Sequence, residues 1–217
     1  MSVPYIFQTA REELYRQISR HANHIIGRVL DVGAGSVERY KHLFKHTDYI
    51  KFDKVSHSND YVKGSADSLP FADDSFDSIV CTQVLGDIYD VQKVFKEFYR
   101  VLRRGGTALI TEALHDPLHD EPYDYWRFTA HAFRHLAESS GFKIEVLESR
   151  GGYHSVMVQF RARYWIERLN LYKHWYGYVI GKFLSIVGRC AMARDRRDPS
   201  QANKLFAHGY LLIIKKS

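Results

Sequence analysis

"RVLDVGAGSVER", residues 28–39, decides how this chain folds. An apolar run ends on Asp31 and then breaks into Gly33 and Gly35. That is how a buried parallel strand opens onto a tight loop, where open α/β sheets place their ligands. A dinucleotide fingerprint requires a third glycine three residues after the second, so that the helix can pack close to the strand. Glu38 stands there, a bulky anion where a pyrophosphate would sit, which argues against NAD or FAD. No Gly-Lys-Ser/Thr follows either, so nothing supports nucleotide triphosphate hydrolysis.

Outward from this loop the chain alternates. "RVLDVG" reads as strand one, 36–46 as a short helix, "YIKFDKV" as strand two and "DYVKG" as strand three. "FDSIVCTQVL" reads as strand four, and 90–102 as a helix with Val91, Val94, Phe95, Phe98, Val101 and Leu102 on one side. "RRGG" stops that helix, with cations in the last turn and glycine beyond it. "TALITEA" is strand five, "TAHAFRHLAESSGF" a helix capped by Thr129, "KIEVLES" strand six and "HGYLLIIKK" the last strand. This rhythm predicts an α/β fold, a mostly parallel sheet covered by helices. Ahead of it, 8–26 is helical, with Leu14, Ile18, Ala22 and Ile25 at three- and four-residue spacing before Gly27.

The 217 residues, 45% hydrophobic and 26% charged, suit one soluble domain. We divide it into an N-terminal helical cap (1–26), a core (27–150), a helical basic-aromatic insertion (151–198) and the final strand region (199–217). Charge interrupts the N-terminus before any signal-like apolar stretch, which reads as a cytoplasmic start. Two distant cysteines, Cys81 and Cys190, suggest neither a disulfide framework nor a cysteine metal site. The net charge of +6 is concentrated: residues 150–198 carry ten Lys/Arg against Glu167, Asp195 and Asp198, and the remainder is near neutral. The aromatics of 155–197 fit a core or lid, a homodimer face, or a surface resting peripherally on a membrane. No RNA motif accompanies the charge, and nucleic acid ranks lower. Gly177 and Gly181 form a G-x-x-x-G in too short an apolar context to argue for a span.

The cleft therefore suits a ligand with a ribose and a positive or zwitterionic end. Asp53, twenty residues after Gly33, stands at the spacing where a carboxylate accepts ribose hydroxyls. S-adenosylmethionine has two cations, a ribose and no phosphate. "LDVGAGS", "FDKV", "SADSLPFADDSFDSIVCTQVL", "EFYRVLRRGG" and "TALITEA" resemble the successive motifs of class I S-adenosylmethionine-dependent methyltransferases, in particular the type 11 group. The resemblance covers about residues 27–150, and "GYLLIIKK" matches the family's antiparallel seventh strand. It implies a Rossmann-like, seven-stranded sheet with a helical insertion and S-adenosylmethionine as cofactor. By that resemblance Asp31, Gly33, Ala34 and Gly35 line the methionine part, and Asp53 with Lys54 the ribose. Ala66 presents its backbone to adenine, Ser65 and Asp67 stand where relatives pair an acid with the adenine amino group, and Gln83 faces the cofactor. The chain departs from the pattern at Val37, the third loop glycine of the family, and at Gly86–Asp87, where relatives often have Glu-His.

Methyl transfer to a hydroxyl needs a base close to the nucleophile and no metal. After strand five the polar stretch "HDPLHDEPYDYWRFT", 115–129, is longer than a connection requires. It holds His115, Asp116, His119, Asp120, Glu121 and Asp124, and resembles a segment of type 11 relatives associated with glycan synthesis. His119 is the candidate general base, with Asp124 to orient it or bind a sugar hydroxyl, Tyr125 and Trp126 to stack on a sugar ring or the sulfonium, and Arg127 to clamp an acid or phosphate. The histidine pairs 115/119 and 131/135 lack a third ligand at suitable spacing, so no metal is expected. The expected reaction is O-methylation of a saccharide or glycan intermediate. An RNA or protein acceptor is the alternative enzyme, and a non-catalytic module with this fold is the rival.

Overall fold

The computed structural model describes residues 9–55, 58–119 and 121–217. The first eight residues, on which the N-terminal reading rests, and the loop acid Asp120 lie outside the described residues. The chain divides into two compact units. One takes residues 17–114, 118–149 and 209–217; the other takes 150–208, 115–117 and the described part of 1–16.

The first unit is a seven-stranded sheet in the order β3-β2-β1-β4-β5-β7-β6. Its strands are β1 (Ile26–Val32), β2 (Lys45–Asp53), β3 (Tyr61–Lys63), β4 (Phe76–Thr82), β5 (Leu102–Ala113), β6 (Phe142–Arg150) and β7 (Gly209–Lys216). The pairs β1/β2, β1/β4, β2/β3 and β4/β5 are parallel, and β7 runs antiparallel to β5. Val29, Leu30, Ile79, Val80, Ala108 and Leu109 are buried, as continuous apolar runs covered on both faces should be. Two helices of this unit, α2 (Val91–Val101) and α3 (Ala130–Ser139), pack on the sheet. Of the predicted stripe, Val91, Val94, Phe95, Phe98 and Val101 are buried on α2, whereas Leu102 is buried as the first residue of β5; the Thr129 hydroxyl caps α3 by accepting from the Ala132 amide at 3.2 Å.

The second unit is helical: α4 (Tyr153–Arg168), α5 (Tyr176–Arg197) and the short α6 (Gln201–Lys204). The start of α1 (Thr9–His21) also belongs to it, through Ala10, whose amide donates to Gln159 at 2.8 Å. The Asp195 carboxylate accepts the His154 and Ser155 amides at 2.9 and 3.0 Å, satisfying two donors at the open end of α4. Gly177 and Gly181 face inward: a Cβ on Gly177 would meet the Leu171 carbonyl oxygen at 2.0 Å. Their spacing therefore serves packing within the unit. No helix among the described residues is long and apolar enough to cross a membrane.

The structure corrects the predicted elements in two places: "RRGG" lies within β5 instead of closing the helix, and the stretch between β1 and β2 differs. No helix occupies 36–46; the glycine loop leads to a single 3₁₀ turn, Lys41–Leu43, and β2 begins at Lys45. The difference shapes the cleft, because the loop is followed by no helix N-terminus that could receive an anion.

Candidate active site

The sheet reverses direction of growth between β1 and β4, and the cleft opens at the carboxyl ends of these strands, as expected at such a switch. Its volume is about 610 Å³. Gly33 (φ +72°) and Gly35 (φ +60°) turn the chain sharply after β1. A Cβ on Gly33 would lie 2.2 Å from Cγ2 of Val84, in the loop after β4, so only glycine lets the two loops approach.

The amides of the bend are already taken. Gly33 and Ala34 donate to the Phe52 carbonyl at 2.8 and 3.2 Å, and Gly35 donates to Oδ2 of Asp53 at 2.9 Å. A pyrophosphate site needs such donors pointed at the ligand. These point at the end of β2 and leave a carboxylate in the cleft. Glu38, which the sequence places toward the ligand, is instead paired with Lys51 at 2.9 Å and Lys41 at 3.2 Å. The exclusion of a pyrophosphate thus rests on the occupied amides and the missing helix, not on Glu38.

Of the predicted cofactor residues, Gly33, Gly35, Asp53, Lys54, Ser65, Ala66 and Gln83 line the cleft. Gln83 sits at φ +58°, a backbone conformation rare outside glycine, with its amide on the Thr111 carbonyl at 2.9 Å. Ala34, Asp67 and Asp31 are not on the wall. Asp67 lies 3.8 Å from Lys93, and Asp31 accepts the Tyr49 hydroxyl at 2.7 Å. Loss of water pushes the Asp31 carboxyl up to about 6, opposed by the Tyr49 hydrogen bond and reinforced by repulsion from Asp53 and Glu38. Two carboxylates therefore share one field, which an arriving cation would relieve.

Residues 121–129 dock on the exit of β4. The Tyr125 and Trp126 amides both donate to the Gly86 carbonyl, at 2.9 and 3.1 Å, and Trp126 Nε1 donates to the Ile88 carbonyl at 3.0 Å. A Cβ on Gly86 would press to 3.3 Å from the Trp126 oxygen. Beneath, the buried Glu112 accepts the Val84 and Leu85 amides, both at 2.6 Å, and fixes the same turn. The Gly-Asp that replaces Glu-His is thus the seat of this loop.

Asp124 organises the loop. Arg127 grips it with two nitrogens at 2.5 and 2.8 Å, and the His119 amide donates to it at 3.0 Å. The Arg127 guanidinium holds the Asp124 carboxyl well below the usual carboxylate range. The His119 ring lies 3.6 Å from Asp124 and 3.3 Å from Arg127, so Arg127 takes the carboxylate that was expected to orient the imidazole. None of His119, Asp124, Tyr125 and Arg127 is on the cleft wall; Tyr125 packs edge-on against Tyr89. Asp87, which in the sequence stands only as a departure from the family pattern, and Tyr123, which is not among the candidate site residues, are on it. Lys54 sits over the Tyr123 ring at 4.4 Å.

Asp87, His119 and Asp124 can bring one ligand atom each within 4.8 Å of one another. The Arg127 guanidinium already supplies the positive charge in that cluster. His115 belongs to the helical unit, with Nδ1 2.7 Å from the Ala207 carbonyl and its ring near Phe160 and Phe206.

Residues 29–110, from β1 through most of β5, match the family model described as a methyltransferase domain, type 11. A ubiquinone/menaquinone biosynthesis C-methyltransferase of Haemophilus ducreyi is 35% identical over 94 residues, which are 36% of this chain and 36% of that protein. The uncharacterized methyltransferase YcgJ of Bacillus subtilis is 33% identical over 112 residues, 43% of this chain and 44% of that one. In sequence the match thus spans less than half of either relative. Among solved structures, YcgJ superposes with a TM-score of 0.58 at 20% identity, covering 94% of this chain and 98% of that one. The cyclase SpnF gives 0.59 at 21% identity, covering 100% and 84%. Phosphoethanolamine N-methyltransferase 2 of Haemonchus contortus, solved with S-adenosyl-L-methionine, gives 0.58 at 19%, covering 95% and 52%. These structural likenesses are of fold. They show that the sheet unit has the Rossmann-like fold of these proteins, and its residues 29–110 are similar to the methyltransferase family model.

Proposed function

We propose that the chain is an S-adenosylmethionine-dependent methyltransferase that methylates a hydroxyl of a small acceptor, a saccharide or glycan intermediate. The observation that carries this reading is the bend whose amides are taken by β2, leaving the Asp53 carboxylate in a cleft of about 610 Å³ whose other charged wall residues are Lys54 and Asp87, two acids against one base. Such a cleft favours a cationic, diol-bearing guest over a polyanion. The cofactor, when bound, supplies a methyl group on a sulfonium. Each Asp53 oxygen accepts one backbone amide, from Gly35 or Val55 at 2.9 Å, and keeps a further lone pair for a ribose hydroxyl. Asp31 adds negative charge behind the bend as it ionises.

On the acceptor side, Asp87 is the carboxylate on the wall, and His119, with a ring nitrogen within 4.8 Å of it, is the group to which a proton passes through one intervening water. Asp87 accepts the acceptor hydroxyl and sets its lone pair toward the methyl. Tyr123 offers a ring on which a sugar can stack. Asp124 and Arg127 hold the loop so that these groups meet. A second reading, transfer to carbon, is favoured by curated relatives named as C-methyltransferases, among them a sterol 24-C-methyltransferase of Aspergillus fumigatus.

Tritiated methyl transfer tests the reading. The purified protein is given labelled cofactor with saccharide, lipid, RNA and protein fractions of a lysate. Label in saccharide as a methyl ether supports it. Label in a carbon-bound position moves the acceptor to carbon, and label confined to RNA or protein overturns the glycan acceptor.

A further inference from the structure

The helical unit carries an exposed apolar surface of its own. On α5 and its N-cap, Trp175, Val179, Phe183 and Ile186 are 82%, 57%, 64% and 60% exposed. At 3.6 residues per turn these four fall within about 80° of one another and form a stripe about 16 Å long. The opposite side of the same helix, Gly177, Gly181, Gly188, Ala191 and Met192, is buried. The helix is therefore amphipathic in a particular sense: it packs inward through small residues and turns its large apolar side chains to solvent.

The surrounding charge is of one sign. From Tyr153 to Arg194 the chain has seven Lys/Arg and a single acid, Glu167. Arg163 pairs with Glu167, and Arg189 with Glu12 of α1. That leaves Arg161, Arg168, Lys173, Lys182 and Arg194 without an acidic partner among the described residues. Lys182 flanks the stripe, its ammonium 4.5 Å from the Tyr178 ring, with the long stem free to lie along the helix while the charge reaches outward. Tyr164 and Trp165 near the end of α4 of the same unit are exposed as well.

We propose that this face is a peripheral docking surface for an anionic lipid bilayer, with α5 lying in the headgroup region and the four apolar side chains entering the acyl boundary. An apolar crest flanked by cations is complementary to a surface that is negative at the headgroups and oily beneath. A second copy of this chain is a poorer occupant, because a two-fold contact would set the same cations against each other. Nucleic acid is poorer as well: phosphates would meet Val179, Phe183 and Ile186, and the cations lie off the crest. The charges at Lys182, Arg189 and Arg194 keep α5 on the surface and out of the bilayer interior.

Co-sedimentation of the full chain with vesicles tests this. Vesicles of phosphatidylcholine with about one third phosphatidylglycerol should pellet the protein, pure phosphatidylcholine should not, and salt should reverse binding. Replacing Trp175→Ser and Phe183→Ser together should lower the partition coefficient by on the order of tenfold or more. Lys182→Glu should lower it severalfold, and circular dichroism melting should confirm that each variant is folded. The proposal fails if anionic vesicles do not pellet the wild type, or if the double variant pellets equally well. It also fails if the double variant instead abolishes self-association or RNA retention that the wild type shows without lipid. These readouts do not depend on methyl transfer.

Discussion

Replacing Gly33 with alanine probes the bend directly, and its cost can be worked from geometry. At φ +72° an L side chain is strained, by about 1–2 kcal/mol relative to glycine. The new Cβ would also stand 2.2 Å from Cγ2 and 3.0 Å from Cγ1 of Val84. Val84 belongs to a turn held by Glu112 and cannot retreat freely, and overpacking of this kind costs about 1–3 kcal/mol. Gly33→Ala should therefore destabilise the protein by about 2–5 kcal/mol, a large share of a typical total. Gly35 supplies the control, since its φ is +60° but no atom lies within 4 Å of its Cβ position. Gly35→Ala should show only the backbone part, about 1–2 kcal/mol. Adding Val84→Ala to Gly33→Ala should recover the steric part, giving a coupling of about 1–3 kcal/mol in a double-mutant cycle read by urea unfolding. Gly33→Ala within about 0.5 kcal/mol of wild type, or strict additivity with Val84→Ala, would refute this packing of the two loops.

The remaining predictions concern charge. Asp31 is raised from 3.8 to about 6, so the stability it contributes is present below pH 3.8 and lost as pH rises through 6. A cationic ligand reverses that preference: calorimetry should show S-adenosylmethionine binding tightening from pH 5 to 7 with proton release, and Asp31→Asn should flatten the trend. Burial pushes His208 down from 6.5 to about 3, with Nε2 on the Ser155 hydroxyl at 3.1 Å. The native state therefore loses up to about 1.4 kcal/mol per pH unit as pH falls below 6.5, and thermal melts between pH 5 and 7 should show a slope that His208→Gln removes. Asp87→Asn and His119→Ala should each slow turnover about 10²-fold, and His119→Ala should leave binding of the demethylated cofactor unchanged. Unaltered turnover in both would remove the pair from the chemistry.

The strands were legible because parallel strands buried on both faces read as continuous apolar runs, and α2 because five apolar residues recur on one side. The helix expected over 36–46 was not there to be found: "SVERY" is compatible with a helix, but β2 claims the chain from Lys45 and leaves room for one turn. The start of β2 was missed because "KHTD" pairs with the exposed end of β1 and shows no alternation. The glycine bend and Asp53 could be read from spacing alone. That Gly33, Ala34 and Gly35 donate to β2 could not, since hydrogen bonds across strands leave no mark in composition. Asp87 did leave one, as a departure from the expected Glu-His, yet a departure reads as a loss until Gly86 is seen to seat Tyr125 and Trp126. His115 neighbours the polar loop in sequence, whereas its ring contacts come from Phe160 and Phe206.

Isothermal titration with S-adenosylmethionine and, in parallel, NAD bears most directly on the cleft. Saturable binding of S-adenosylmethionine, weakened by Asp53→Ala, with no heat from NAD, is the predicted result. Binding of NAD, or no binding of S-adenosylmethionine by folded protein, would contradict the inference from the occupied amides and the carboxylate they hold.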